Sequence, residues 1–178
     1  MGATPAMRRA AEISPCGLYR YWLEREWDTA LPKLVICMLN PSTADAAVDD
    51  PTLLTLIHFG RLWGYGGLAV VNLYAWRSPH PSVMKGAAAR LDEVNLRRGR
   101  EAMLVAATMG DRRLLVAWGN DGDFEGQATR FADCAADLIG VDLICLGTTL
   151  SGAPKHPMAR GRSRIPRDQQ PIIWRAAT

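Results

Sequence analysis

The chain has 178 residues and a net charge of +3, with 48% hydrophobic and 22% charged residues. That length suits one domain able to bury its own core without disulfide staples, and the composition excludes wholesale disorder. The charge is uneven. From Ser151 onward, Lys155, Arg160, Arg162, Arg164, Arg167 and Arg175 face only Asp168, a net of +5, which leaves −2 for the rest. Such a cluster is either a solvated end or a contact for a polyanion such as nucleic acid.

The first patterned segment is 18–27, where Tyr19, Tyr21 and Leu23 alternate. Period two and aromatic content predict an antiparallel strand near an edge, with a short helix as the alternative. The apolar run Leu34–Leu39 is stopped by Asn40-Pro41 and reads as a strand buried on both faces. Asp50-Pro51 is an N-cap followed by proline at the first helical position, so a helix runs to about Trp63, where Gly64, Gly66 and Gly67 end it. Leu68–Asn72 is the next strand, and 77–81 a proline-broken loop. Asp92 caps a helix to about Thr108. Leu114–Trp118 is a third strand, followed by a Gly-Asn-Asp-Gly turn at 119–122. Ala128, Phe131, Ala135 and Leu138 repeat at helical spacing, Val141–Leu146 is a fourth strand, and Ile172–Trp174 a short final one.

Alternating strands and helices predict a three-layer α/β/α fold with a mostly parallel four-stranded sheet and right-handed crossovers, plus an N-terminal edge strand or hairpin. The chain divides into a flexible N-terminus (1–17), a single α/β domain (18–158) and a basic C-terminal tail (159–178). No stretch is apolar enough to span a membrane, and the start lacks a signal-peptide core, so a cytoplasmic protein without membrane contact is expected. The four cysteines form no Cys-x-x-Cys pair and the three histidines lack ligand spacing. Asp45, Asp49 and Asp50 offer oxygen to a cation, but Asp50 already has a capping role. Neither metal nor cofactor is expected. Walker, dinucleotide and nucleophile-elbow motifs are missing from the chain.

In parallel sheets, ligands bind beyond the carboxyl ends of the strands. Four such ends carry polar, Gly- or Pro-rich segments: 40–45, 72–77, 118–121 and 147–157. Any one of them can be a plain strand stop, but together they predict one cleft. Its candidates are Asn40, Pro41, Ser42 and Asp45 after the first strand, then Asn72, Tyr74, Trp76 and Arg77 after the second. Trp118 and Gly119 follow the third, Thr148 and His156 the fourth. Trp76 and Trp118 can alternatively cover the sheet ends. His156, between Lys155 and Pro157, is hard to place in a core.

Several stretches resemble a bacterial and phage family, domain of unknown function sixteen-forty-three. They are Met38-Leu39-Asn40-Pro41-Ser42-Thr43-Ala44-Asp45, Asp49-Asp50-Pro51-Thr52, Trp63-Gly64-Tyr65, Asn72-Leu73-Tyr74-Ala75-Trp76-Arg77, Ala117-Trp118-Gly119, and Cys145-Leu146-Gly147 with Gly152-x-Pro154-x-His156-Pro157. That family implies no activity. The layout is also similar to the uracil-DNA glycosylase superfamily. Leu39-Asn40-Pro41 resembles its water-positioning loop, Asn72 with Trp76-Arg77-Ser78-Pro79 its second-strand element, and His156-Pro157 its His-Pro-Ser loop. Ser42 stands where that pattern has Gly, and Met158 where it has Ser.

This second resemblance implies recognition and hydrolytic removal of a base from nucleic acid. Asn40 would hold water, His156 would stabilise the departing base, Asn72 would read its edge, and Tyr74 or Trp76 would stack on it. Lys155, Arg160, Arg162 and Arg164 would grip phosphates. Two rivals share the cleft: an enzyme acting on a free nucleoside or nucleotide, and a non-catalytic nucleic-acid or nucleotide binding module. The oligomeric state is left open.

Overall fold

The computed structural model describes residues 6–87 and 90–178. Seven strands form one sheet: β1 (Arg8–Ile13), β2 (Arg20–Glu26), β3 (Lys33–Met38), β4 (Gly67–Asn72), β5 (Arg113–Val116), β6 (Asp142–Cys145) and β7 (Ile172–Arg175), in the order β1-β2-β4-β3-β5-β6-β7. The pairs β4–β3, β3–β5 and β5–β6 are parallel. The pairs β1–β2, β2–β4 and β6–β7 are antiparallel. The four inner strands are apolar on both faces because both faces are covered by helices.

Alternation along β3 divides the core in two. Leu34, Ile36 and Met38 pack against Leu53, Leu56 and Phe59 of α1 (Pro51–Leu62). Val35, Cys37 and Leu39 meet Ala102 and Met103 of α3 (Glu93–Thr108) and Ala128 of α4 (Gln127–Asp133). The short α2 (Pro81–Gly86) seats Met84 on that same side. The result is a mixed α/β fold in three layers, with α1 on one face and α3 and α4 on the other. Gly60 lets α1 approach the sheet closely: a Cβ there would lie 2.8 Å from the Leu68 side chain.

Both expected caps form. The Asp50 carboxylate accepts from Leu53 N at 2.8 Å, and that of Asp92 from Asn95 N at 2.8 Å. Three expectations need correction. Residues 8–13 of the expected flexible N-terminus are an edge strand, held by Arg8 pairing across to Glu24 and Glu26. The aromatic strand 18–27 is therefore second from the edge. An α-helix occupies Pro81–Gly86, opened by the proline assigned to a loop, since proline suits a first helical turn.

The third correction concerns the basic tail. It runs along α1 as a strap before returning as β7. Ile165 is buried against the α1-side cluster, and Trp63 Nε1 donates to Gln169 O at 3.0 Å. Among the described residues, no helix is long and apolar enough to cross a membrane.

Candidate functional site

A small cleft of about 40 Å³ lies at the carboxyl ends of β3 and β4, on the α1 side. Arg20, Asn40, Ser42, Asp50, Asn72 and His156 supply its polar wall. Met38, Val70 and Leu56 are among its apolar residues.

Strand geometry explains who arrives there. Asn72 continues the alternation of Leu68 and Val70, and Asn40 that of Ile36 and Met38, so both point to the α1 face. Arg20 arrives by an irregularity. Glu12 pairs with Trp22 while Ile13 pairs with Arg20, so Tyr21 is skipped. This bulge turns Arg20 to the side of Leu23, whereas regular alternation would have put it beside Trp22 on the other face. Asp50 is placed by its cap at the start of α1. His156 is carried by the loop after β6, which is closed by the Thr148–Pro154 bridge and by Lys155 N donating to Gly147 O at 2.9 Å.

Two buried donors in this wall are left over. Arg20 Nη1 donates to Ala44 O at 2.8 Å and Nη2 reaches Asn72 Oδ1 at 3.4 Å. That contact turns the Asn72 amide so that Oδ1 faces Arg20. Arg20 Nε and Asn72 Nδ2 have no partner among the described residues, although their residues are only 5% and 4% exposed. Buried donors are almost always satisfied, so an unpaired pair in one cleft points to an incoming acceptor. Burial pulls the Arg20 guanidinium down to about 10, and nearby Asp50 opposes that pull.

His156 is set up as a neutral donor. Its Nδ1 accepts from Met158 N at 3.1 Å, which leaves the proton on Nε2. Burial lowers its pKa from the ordinary value, and Asp50 works in the opposite direction. Asn40 is more committed than expected. Its Nδ2 donates to Ser78 O at 2.8 Å and to Pro41 O at 3.2 Å, leaving Oδ1 to accept.

The remaining candidates go elsewhere. Pro41 is buried, and its carbonyl accepts from Ser78 N at 2.8 Å. Asp45 folds its own loop by accepting from Ala47 N and Val48 N, which holds its carboxyl below the usual range. Tyr74 is buried on the opposite face with its hydroxyl donating to Phe124 O. Trp76 meets Tyr19 edge to face at 5.5 Å. Arg77 ties loops together through Gly17 O and Thr43 O.

Trp118 continues the alternation of Leu114 and Val116 and is core, between Phe131 and Trp174. Gly122 lies so close that a Cβ there would fall 2.0 Å from the Trp118 ring. Gly119 (φ +71°) donates its N–H to Pro154 O, and Thr148 pairs with Pro154, so both shape the His156 loop. Lys155 lies across Gly147. Arg160, Arg162 and Arg164 are carried on the strap, outside the cleft wall.

Sequence reasoning missed Arg20, Thr52 and the second role of Asp50, which line the cleft as well. The available signal was an arginine inside an aromatic strand. The acids 45, 49 and 50 do not act as a set: Asp49 pairs with fully buried Arg25 at 2.8 Å and with Arg9 at 2.8 Å, while Asp45 and Asp50 serve backbone N–H groups. Among the described residues, no group of three His, Cys, Asp or Glu is placed to hold a metal ion.

No curated protein and no solved structure matches the chain. A family model described as "Protein of unknown function (DUF1643)" matches residues 20–158, which contain both core clusters' strands and the whole polar wall of the cleft. The chain belongs to the DUF1643 family.

Proposed function

We propose that this cleft recognises a base in nucleic acid and hydrolyses its N-glycosidic bond. The observation that carries the reading is the convergence of Asn40, Asp50, Asn72 and His156 with two unpaired buried donors at the carboxyl ends of parallel strands. Asn72 Nδ2 and Arg20 Nε present two donors to acceptors on a base edge. His156 Nε2–H donates to the base as negative charge develops on it. The free oxygen of Asp50 and Oδ1 of Asn40 accept from the attacking water. The water oxygen bonds to the anomeric carbon as the carbon–nitrogen bond breaks. One water proton passes to Asp50 and from there to the released base. The similarity of Leu39-Asn40-Pro41, Asn72 and His156-Pro157 to glycosylase elements supports the same chemistry.

The cleft volume of about 40 Å³ holds roughly three waters, so a whole base enters only as the cleft widens. That small volume favours, as a second reading, a binding module that captures only a small polar group.

Single-turnover release of labelled base from a panel of modified oligonucleotides and free nucleosides, beside titrated binding, separates the readings. Release is expected from wild type and should fall about a hundredfold in His156→Ala with binding nearly unchanged. Binding without release by wild type selects the module. Release from free nucleosides alone selects the small-substrate enzyme.

A further inference from the structure

A second cavity, of about 360 Å³, opens between α1 and the strap, within one turn of the cleft. Thr52 lines the cleft and Thr55 the cavity, so they are separated by roughly 4.5 Å along the helix axis. His58, Arg160, Arg164 and Arg167 line this cavity, and no carboxylate does. Eight cations of the chain are held in ion pairs: Arg8, Arg9, Arg25, Lys33, Lys85, Arg90, Arg98 and Arg175. Among the described residues, Arg160, Arg164 and Arg167 form none.

The strap is also held in place. His58 Nε2 donates to Arg167 O at 2.7 Å, Ile165 is buried, and a short turn closes with Arg164 N donating to Gly161 O at 3.1 Å. Three arginines thus line one cavity that no carboxylate lines, on an anchored backbone. An anion would supply the counter-charge this lining lacks, and guanidinium forks match phosphate oxygens two at a time.

We propose that this cavity binds a phosphate group. The inference stands on the arginine cavity itself. Its extension, that the phosphate flanks the base held in the cleft, rests on the base-recognition reading.

The test uses the full chain and a labelled single-stranded oligonucleotide, an otherwise identical abasic one, a nucleoside monophosphate and inorganic phosphate. The double variant Arg164→Gln with Arg167→Gln keeps the backbone bond to His58. The control, Arg97→Gln with Arg100→Gln, removes the same charge from exposed sites on α3. Strap neutralisation should weaken oligonucleotide binding at least tenfold and lower the slope of log affinity against log salt by about 0.7 for each phosphate no longer neutralised. The control pair should change little, and both variants should melt like wild type.

Matching loss for the monophosphate and inorganic phosphate assigns the site to a single phosphate group. Loss confined to oligonucleotides assigns it to a strand backbone. Both outcomes support the proposal. Equal loss in the control pair, or no phosphate-bearing probe bound by wild type, overturns it. If the base reading alone fails, the abasic strand binds as well as the intact one and still responds to the strap variant.

Discussion

At one edge of the sheet, the α1 side and the α3/α4 side receive residues from the same strand ends. On the α1 side, Arg20 and Asn72 keep unpaired donors, and Asp50 and His156 face a cleft. On the other side, the Tyr74 hydroxyl is bonded, and Trp118 is enclosed by Phe131 and Trp174. Residues that look equally functional in the sequence thus divide into site and core. For Asn72, Asn40 and Trp118 the divider is parity: each follows the alternation of the strand before it. What distinguishes the α1 side is therefore a cleft in which two unpaired donors meet, not aromatic content or motif position.

The largest effect that sharpens this contrast is Trp118→Ala. It should cost about 3–5 kcal/mol in denaturant unfolding, the scale for emptying a core aromatic site, while ligand affinity per folded molecule stays at the wild-type value. A cleft-specific loss without destabilisation would break the division.

Arg20→Met tests the opposite side. Replacing the guanidinium by an apolar chain of similar size takes the donor from Ala44 O and Asn72 Oδ1, so it should cost about 1–3 kcal/mol, short of unfolding the domain. Oligonucleotide affinity should nevertheless drop at least tenfold. Unchanged affinity would remove the two-donor argument.

Asp50 joins both roles, and a pair of substitutions separates them. Asparagine also caps helices, so Asp50→Asn should keep the melting temperature, whereas Asp50→Ala should cost on the order of 1 kcal/mol. Base release should fall in both. If release falls only in Asp50→Ala, the carboxylate is a cap alone.

The smallest effect is in pH dependence. Burial lowers the folded-state pKa of His156 below its unfolded value. The unfolded chain therefore binds more protons in the window between the two values. The corresponding stability is complete above the unfolded value and is lost as pH falls through the folded one. His156→Gln should flatten that part of a stability–pH curve measured by urea unfolding. An unaltered curve would show that the ring is not desolvated.

Much of the frame is legible residue by residue. The runs Leu34–Leu39 and Leu68–Asn72 announce doubly covered strands, and Asp50-Pro51 and Asp92 announce helix starts, because these signals are local. Asn40, Asn72 and His156 are legible for a similar reason: each interrupts or follows an apolar strand where only a cleft or a turn is available. Trp118 misleads because both sides of a doubly covered strand are apolar, so the sequence shows alternation but not which parity faces α1. Arg25, fully buried against Asp49, reads as an ordinary strand charge, since its partner lies in a distant loop.

Local chemistry in the sequence determined the strand runs, the caps, the turn residues and the basic character of the last segment, because each depends on neighbours a few positions away. The tertiary structure alone decided the rest. Parallel pairing of Met38 with Asn72 brought the two asparagine-bearing ends together. The skipped Tyr21 turned Arg20 into the cleft, and the packing of Ile165 on the α1 side made a strap of what reads as a tail. These outcomes depend on register and on contacts between segments far apart in the chain, and no local pattern encodes them.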